Sequence, residues 1–203
     1  MLLRTLSLAL GAIMMVPAQG SAQQHRWTLG LDVGRAHTGG TSRDTASADD
    51  RSFRPANSTV WTVRASRQVG GLALGLVGSY GTAGLALEGR DLLVVDRAVR
   101  FTFYQLAPVI EVPLTGLGND GQLVLTGGPV VALWRLTDQP DRTRLGARLG
   151  LSLPVWFGPA IAGVVRLSGV VTPSVFEEDE LPVEFIRQAT WRVQVSLGLL
   201  AGF

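Results

Sequence analysis

Few side chains in this sequence are equipped for bond-making chemistry. Cysteine is absent, and the two histidines, His25 and His37, stand apart without HExxH or any other paired-ligand spacing. Thiol and metal chemistry therefore find no foothold, and neither a metal nor a cofactor is expected. One acidic run, FEEDELPVEF, sets Glu177, Glu178, Asp179, Glu180 and Glu184 against Arg187 alone. Its spacing is not that of an ordered calcium loop, so it reads as a solvated charged face. The arginines are the remaining charged set: all eighteen cationic side chains are Arg, yet the formal net charge is only +2. They form no dense basic run and no stripe interleaved with aromatics, which argues against nucleic acid as a partner.

What those arginines do depends on the elements that carry them. In TWRVQVSLGLLAGF, one parity holds Trp191, Val193, Val195, Leu197, Leu199, Ala201 and Phe203; the other holds Thr190, Arg192, Gln194, Ser196, Gly198, Leu200 and Gly202. Only a period of two separates oily from polar side chains in this way, so the stretch is a strand with one apolar face. The pattern recurs at 26–34 and 144–153, and further strands are expected over 60–67, 72–80, 99–112, 122–136 and 160–171, eight in all. Within 99–112, Phe101 and Phe103 share a parity that Leu106 and Ile110 do not, and a bulge near Tyr104 would reconcile them. A helix over 70–87 is disfavoured, because that uncharged stretch contains six glycines.

The face opposite the apolar one is rich in Gly, Ser and Thr with isolated charges, which suits a confined polar lumen. Long connections at 36–58, 81–98 and 172–189 alternate, with one short exception, against shorter ones at 68–71, 113–121 and 154–159. Aromatic residues gather at strand ends: Trp27, Trp156 and Phe203 at a lower rim, Trp61, Tyr80, Phe101, Trp134 and Trp191 at an upper one. Such girdles mark membrane interfaces, although the parity of Trp134 turns it inward. The expected fold is thus all-β: an eight-stranded antiparallel up-and-down transmembrane β-barrel. Its lumen parity carries Arg26, Arg64, Arg100, Arg148, Arg166 and Arg192 with Asp32 and Glu111. Interior charges need partners, and Asp32 is expected to be shared among several guanidiniums. Insertions near Gly39 or Ala48 should be tolerated in the first long loop.

At the other end of the chain, Arg4, an apolar run from Leu6 to Val16 and small residues at Gly20 and Ala22 read as a secretory signal over 1–22 that is cleaved, leaving 23–203 as the barrel domain. Phe203 preceded by Val195, Leu197, Leu199 and Ala201 at alternate positions resembles the assembly signal of the small eight-stranded outer-membrane β-barrel proteins of the OmpA/OmpX-like type. The resemblance covers the mature chain as architecture. It implies export through the periplasm, recognition by the barrel-insertion machinery, and residence among the lipid and lipopolysaccharide of a Gram-negative-type outer membrane. No substrate motif accompanies it, so function does not transfer with the fold.

Three functional readings follow. The favoured one is a non-enzymatic barrel with a structural or surface-contact role through its outer loops. The second, from the excess of lumen arginines, is a narrow channel for small anionic or amphipathic solutes. The third is a lipid-modifying enzyme: His37, with Ser79 and Asp91 as companions, is similar in placement to the catalytic His of lipid A palmitoyltransferase barrels. No local sequence match supports those companions, and the His-x-Ser-Asn stretch of the lipid A deacylases is absent.

Overall fold

A computed structural model describes residues 26–44, 51–89, 93–117, 121–137, 139–177 and 180–203. The expected signal segment 1–22, His25, Ala48, Asp91, Glu178 and Asp179 lie outside them. Nine strands are present among the described residues: β1 (Trp27–Asp44), β2 (Ser52–Pro55), β3 (Ser58–Val69), β4 (Leu72–Glu88), β5 (Leu93–Leu117), β6 (Gly121–Leu136), β7 (Arg142–Trp156), β8 (Ile161–Thr172) and β9 (Phe185–Gly202). All pairings are antiparallel. Their order is β2-β4-β3-β1-β9-β8-β7-β6-β5, and β4 also pairs with β5, so the sheet curls round into a ring consistent with a transmembrane barrel fold. At its lower end Trp27 and Phe203 exchange two backbone hydrogen bonds of 2.9 and 3.0 Å.

The count of nine differs from the expected eight, and the difference lies at the upper end. β1, β4, β5 and β9 run well past the expected ends, and the four-residue β2 pairs with the top of β4. Much of the expected loops 36–58 and 81–98 is therefore strand, including Gly39. These extensions escape a periodicity argument because segments such as HTGGTSRD have no apolar face to maintain, while their backbone groups still require partners. β2 is held by Ser42 Oγ, which accepts from Phe53 N at 3.0 Å and donates to Phe53 O at 3.1 Å. The β1–β9 register shifts between Gly40 and Ser42, where Gly40 and Thr41 have φ of 72° and 79°. Left-handed backbone is strained for a β-branched residue. Thr41 is fixed there by its hydroxyl contact with Thr190 at 3.2 Å and by its carbonyl, which accepts from Ser174 Oγ at 2.8 Å.

No bulge occurs at Tyr104. The β5–β6 register is continuous from Phe101 to Leu114, and β5 shifts against β4 only at Gly84/Leu85. Phe101 and Phe103 share the interior parity with Gln105, while Tyr104, Leu106 and Ile110 face outward. The apparent conflict disappears because the upper interior is itself apolar. Phe101, Phe103, Trp134 and Leu136 pack there with Val60 and Ala132, and Val175 and Phe176 fold in from the β8–β9 connection. Phe103 and Trp134 lie 5.2 Å apart between ring centroids, and Phe176 meets Phe101 edge-on at 5.9 Å.

Candidate functional site

Below that apolar cap the interior becomes polar. Strand alternation aims Asp32 (β1), Arg64 (β3), Glu111 (β5), Arg148 (β7), Arg166 (β8) and Arg192 (β9) into one space, and all but Glu111 are at most 4% exposed. Asp32 is ion-paired with Arg166, and Arg64 with Glu111. Arg148 reaches Ser168 Oγ at 3.3 Å and Ser79 Oγ at 3.5 Å. Arg192 donates to Gln105 and lies over the Phe103 ring, 4.2 Å from its centroid. The expected sharing of Asp32 among several guanidiniums is therefore corrected: two separate pairs form, because Glu111 lies within reach of Arg64. Arg26 and Arg100 do not join them, since both are exposed. Arg26 sits at the lower rim, and Arg100 has the outward parity that the absent bulge would have reversed.

Close approach makes this packing tight. A Cβ on Gly198 would collide with the Asp32 carboxylate and the Leu31 carbonyl, so β9 can pass the buried acid only as glycine. The interior holds four arginines and two carboxylates among these residues, a surplus of two positive charges. Several of their buried polar atoms, including Asp32 Oδ1, Arg64 Nη2 and Arg192 Nη1, have no protein partner. Beneath the pairs a vestibule of about 290 Å³, lined by Arg64, Gln68, Glu111, Trp156 and Arg166, occupies the lower end.

The aromatic residues divide between two faces. Trp27, Trp61, Tyr80 and Trp191 face outward and are 40–50% exposed. Phe101, Trp134 and Trp156 face inward; Trp156 packs on the buried Ala162, Val164 and Leu200. The expected girdle loses those three residues and gains Tyr104 and Phe157, which periodicity alone does not single out. Phe203 and its alternate partners Val195, Leu197, Leu199 and Ala201 all lie on the outer face.

At the upper end, charge is paired where the sequence reads as merely solvated. Arg142 donates to Glu180 Oε2 at 2.6 Å, to the Val175 carbonyl at 2.6 Å and to Gln139 Oε1 at 3.0 Å. Arg144 pairs with Glu177 and reaches the Ser174 carbonyl at 2.8 Å. Hydrogen bonding from Arg144 holds the Glu177 carboxyl below its ordinary range. Arg54 Nε donates to Glu88 at 2.6 Å, an interaction that likewise lowers the Glu88 carboxyl. Arg54 and Arg142 lie beyond the expected strands, on stretches that carry no apolar signature, whereas Arg144 stands at the first position of an expected strand. His37 faces outward, 2.8 Å from Asn57 Oδ1 through Nδ1, whereas Ser79 faces inward on Thr62 and Arg148. The wall separates the two, so they do not form a catalytic pair. Among the described residues no group of three or more metal-ligating side chains occurs.

No protein-family model matches the chain, and no curated protein matches it. Solved structures do. Neisserial surface protein A aligns with a TM-score of 0.58 at 9% identity, covering 87% of this chain and 97% of that one. A major outer membrane protein from Thermus thermophilus aligns with a TM-score of 0.52 at 16% identity, covering 88% and 100%. At such identities the likeness is one of fold: this chain has the β-barrel fold of outer-membrane proteins.

Proposed function

We propose that the chain is an integral outer-membrane barrel protein, non-enzymatic and non-conducting, that presents a rigid upper crown to the outside. Eight of its nine strands complete the ring, the number found in the small OmpA/OmpX-like barrels, and β2 belongs to the crown. The observation that carries the reading is the outer wall. Leu29, Leu31, Val63, Leu74, Leu106, Leu149 and Leu197, spread over six strands, are 46–61% exposed. A soluble monomer rarely shows contiguous apolar surface beyond a few hundred Å², whereas lipid requires it. Bilayer lipid, lipopolysaccharide and the insertion machinery are the partners this reading entails.

A channel for anions would draw on the surplus interior charge, but the apolar cap of Phe101, Phe103, Trp134 and Phe176 closes the upper end. The reading predicts that the folded protein needs detergent, migrates differently before and after boiling, fractionates with the outer membrane, and leaves planar bilayers silent. A soluble, detergent-free monomer would overturn it. Steady anion-selective conductance would instead favour the channel.

A further inference from the structure

The outer wall is not uniform around the ring. On β1 and β3–β6 two rows of outward residues are stacked. The lower row follows the pairings Val33, Trp61, Tyr80, Tyr104 and Leu133; the row above it follows Arg35, Thr59, Thr82, Thr102 and Arg135. An aromatic level thus lies directly beneath a hydroxyl level flanked by two guanidiniums. Arg35 donates to Thr59 Oγ1 at 3.3 Å, and Arg135 lies 5.6 Å from the Tyr104 ring centroid. On β7 and β8, across the ring, the outward positions Leu145, Ala147, Leu149, Leu167 and Val171 carry no cation.

Two cavities meet at Tyr80. Below it an apolar groove of about 450 Å³ opens in the wall, lined by Trp61, Val63, Tyr80, Tyr104, Leu106 and Val131 around Gly78. Nothing lies within 4 Å of where a Gly78 Cβ would stand, and its φ is not in the left-handed region, so packing and backbone both permit a larger residue. The groove exists because that side chain is missing between the large neighbours Trp61, Val63, Tyr104 and Leu106. Above Tyr80 a cleft of about 720 Å³ runs between the crown strands, lined by Asn57, Thr82, Thr102 and Arg100 among others. The Arg54 guanidinium behind it is already engaged with Glu88 and the Thr38 and Pro55 carbonyls, which leaves the exposed Arg100 as the cation facing the opening.

We propose that this strip binds a phosphate-bearing acylated lipid of the surrounding leaflet, one acyl chain in the Gly78 groove and the phosphate on Arg100 and the threonine hydroxyls. The order agrees: apolar groove, aromatic level, hydroxyls, then guanidinium, the sequence of chemistries along such a lipid from chain to headgroup. The inference rests on the membrane placement proposed above.

The test uses the full mature chain folded in neutral detergent micelles and a phosphatidic acid brominated on its acyl chains, which quenches tryptophan fluorescence on contact and reports Trp61 in the groove. Phosphatidic acid should quench saturably, and the equally brominated diacylglycerol should bind about tenfold or more weakly, since it lacks the charge-assisted contacts. Gly78→Leu, which fills the groove, and Arg100→Gln should each weaken phosphatidic acid about tenfold. Gly169→Leu, an equally open outward glycine on β8, four strands from β4 either way round the ring, should leave it unchanged. Gly78→Ala provides the milder substitution if the leucine variant does not fold. Equal affinity of wild type and the Gly78 or Arg100 variants, equal binding of diacylglycerol, or full displacement by inorganic phosphate would each overturn the site. A chain that needs detergent but fails these comparisons loses only the lipid site; one that stays monomeric without detergent loses the membrane placement as well.

Discussion

Replacing Asp32 with Asn isolates the interior charge network. Asp32 and Arg166 are 1% and 3% exposed, and each already has one polar atom without a protein partner. Asparagine keeps the volume and removes the charge, leaving Arg166 as a third unpaired guanidinium beside Arg148 and Arg192. Breaking a buried ion pair by removing one partner costs about 3–5 kcal/mol. The vestibule below lets solvent approach, and Ser152 and Ser196 flank Arg166 in the register, so the lower end, about 3 kcal/mol, is expected. That is a large part of the roughly 5–15 kcal/mol that holds a domain together. Urea unfolding in detergent, followed by tryptophan fluorescence, measures it. The double variant Asp32→Asn, Arg166→Gln should be less destabilised than the sum of its single variants, by about 1–3 kcal/mol, since each single removal exposes the other partner. A single-variant change below about 1 kcal/mol, or strict additivity, would refute the pair as a desolvated unit.

The crown offers a pH test. Because Arg54 lowers the Glu88 carboxyl in the folded state, their pairing stabilises β2 above the ordinary value of 4.5 and is lost as pH falls through the depressed one. Hydrogen exchange at Phe53 and Arg54 should therefore accelerate at the acid end, and Glu88→Gln should show the fast exchange at every pH. Arg142→Ala strands the Val175 carbonyl and Glu180 together, and should cost about 2–3 kcal/mol while opening the β8–β9 connection to protease. Removing Phe203 deletes its two backbone bonds to Trp27 at the strand end; assembly in cells should suffer more than refolding into detergent, and equal assembly would remove the targeting argument. An epitope at Ala48 should be reached by antibody on intact cells, whereas one at Gly39, inside β1 against Trp191, should block folding; an inaccessible Ala48 epitope would invert the orientation.

On the membrane placement proposed above, the residues that face lipid are the legible ones. The alternation from Trp191 to Phe203 is written in the sequence because hydrocarbon tolerates no polar side chain on that face, and the same demand marks Leu29, Leu31 and Leu149. Interior positions obey no such demand. Phe101 and Trp134 are as acceptable there as Arg148, so an inward aromatic resembles an outward one until the register is known. Arg100 is misplaced by the same reasoning, since its lumen parity follows from a bulge that the apolar cap makes unnecessary. The Asp32–Arg166 and Arg64–Glu111 pairings depend on which rotamers meet across the ring, information that strand periodicity does not contain. The crown is hidden more completely, since neither lipid nor a core imposes a period of two on its side chains.

The hydrogen bonds between Trp27 and Phe203 also bear on how such a molecule can form. They join the first described strand to the last, so the ladder that seals the ring is also the least local, and loop-closure entropy delays it until the other strands are in place. Until then β1 and β9 each carry a free edge. In hydrocarbon every unpaired amide or carbonyl on such an edge costs several kcal/mol, so a partly zipped sheet is a poor occupant of the bilayer. On the proposed membrane placement, entry into the bilayer and closure of the seam must then proceed together, or the two edges must be held by another protein until they meet. A closed ladder has the converse property: no strand of the ring can peel away without breaking two ladders at once. The seam that is slowest to form is thus what makes the finished wall slow to open.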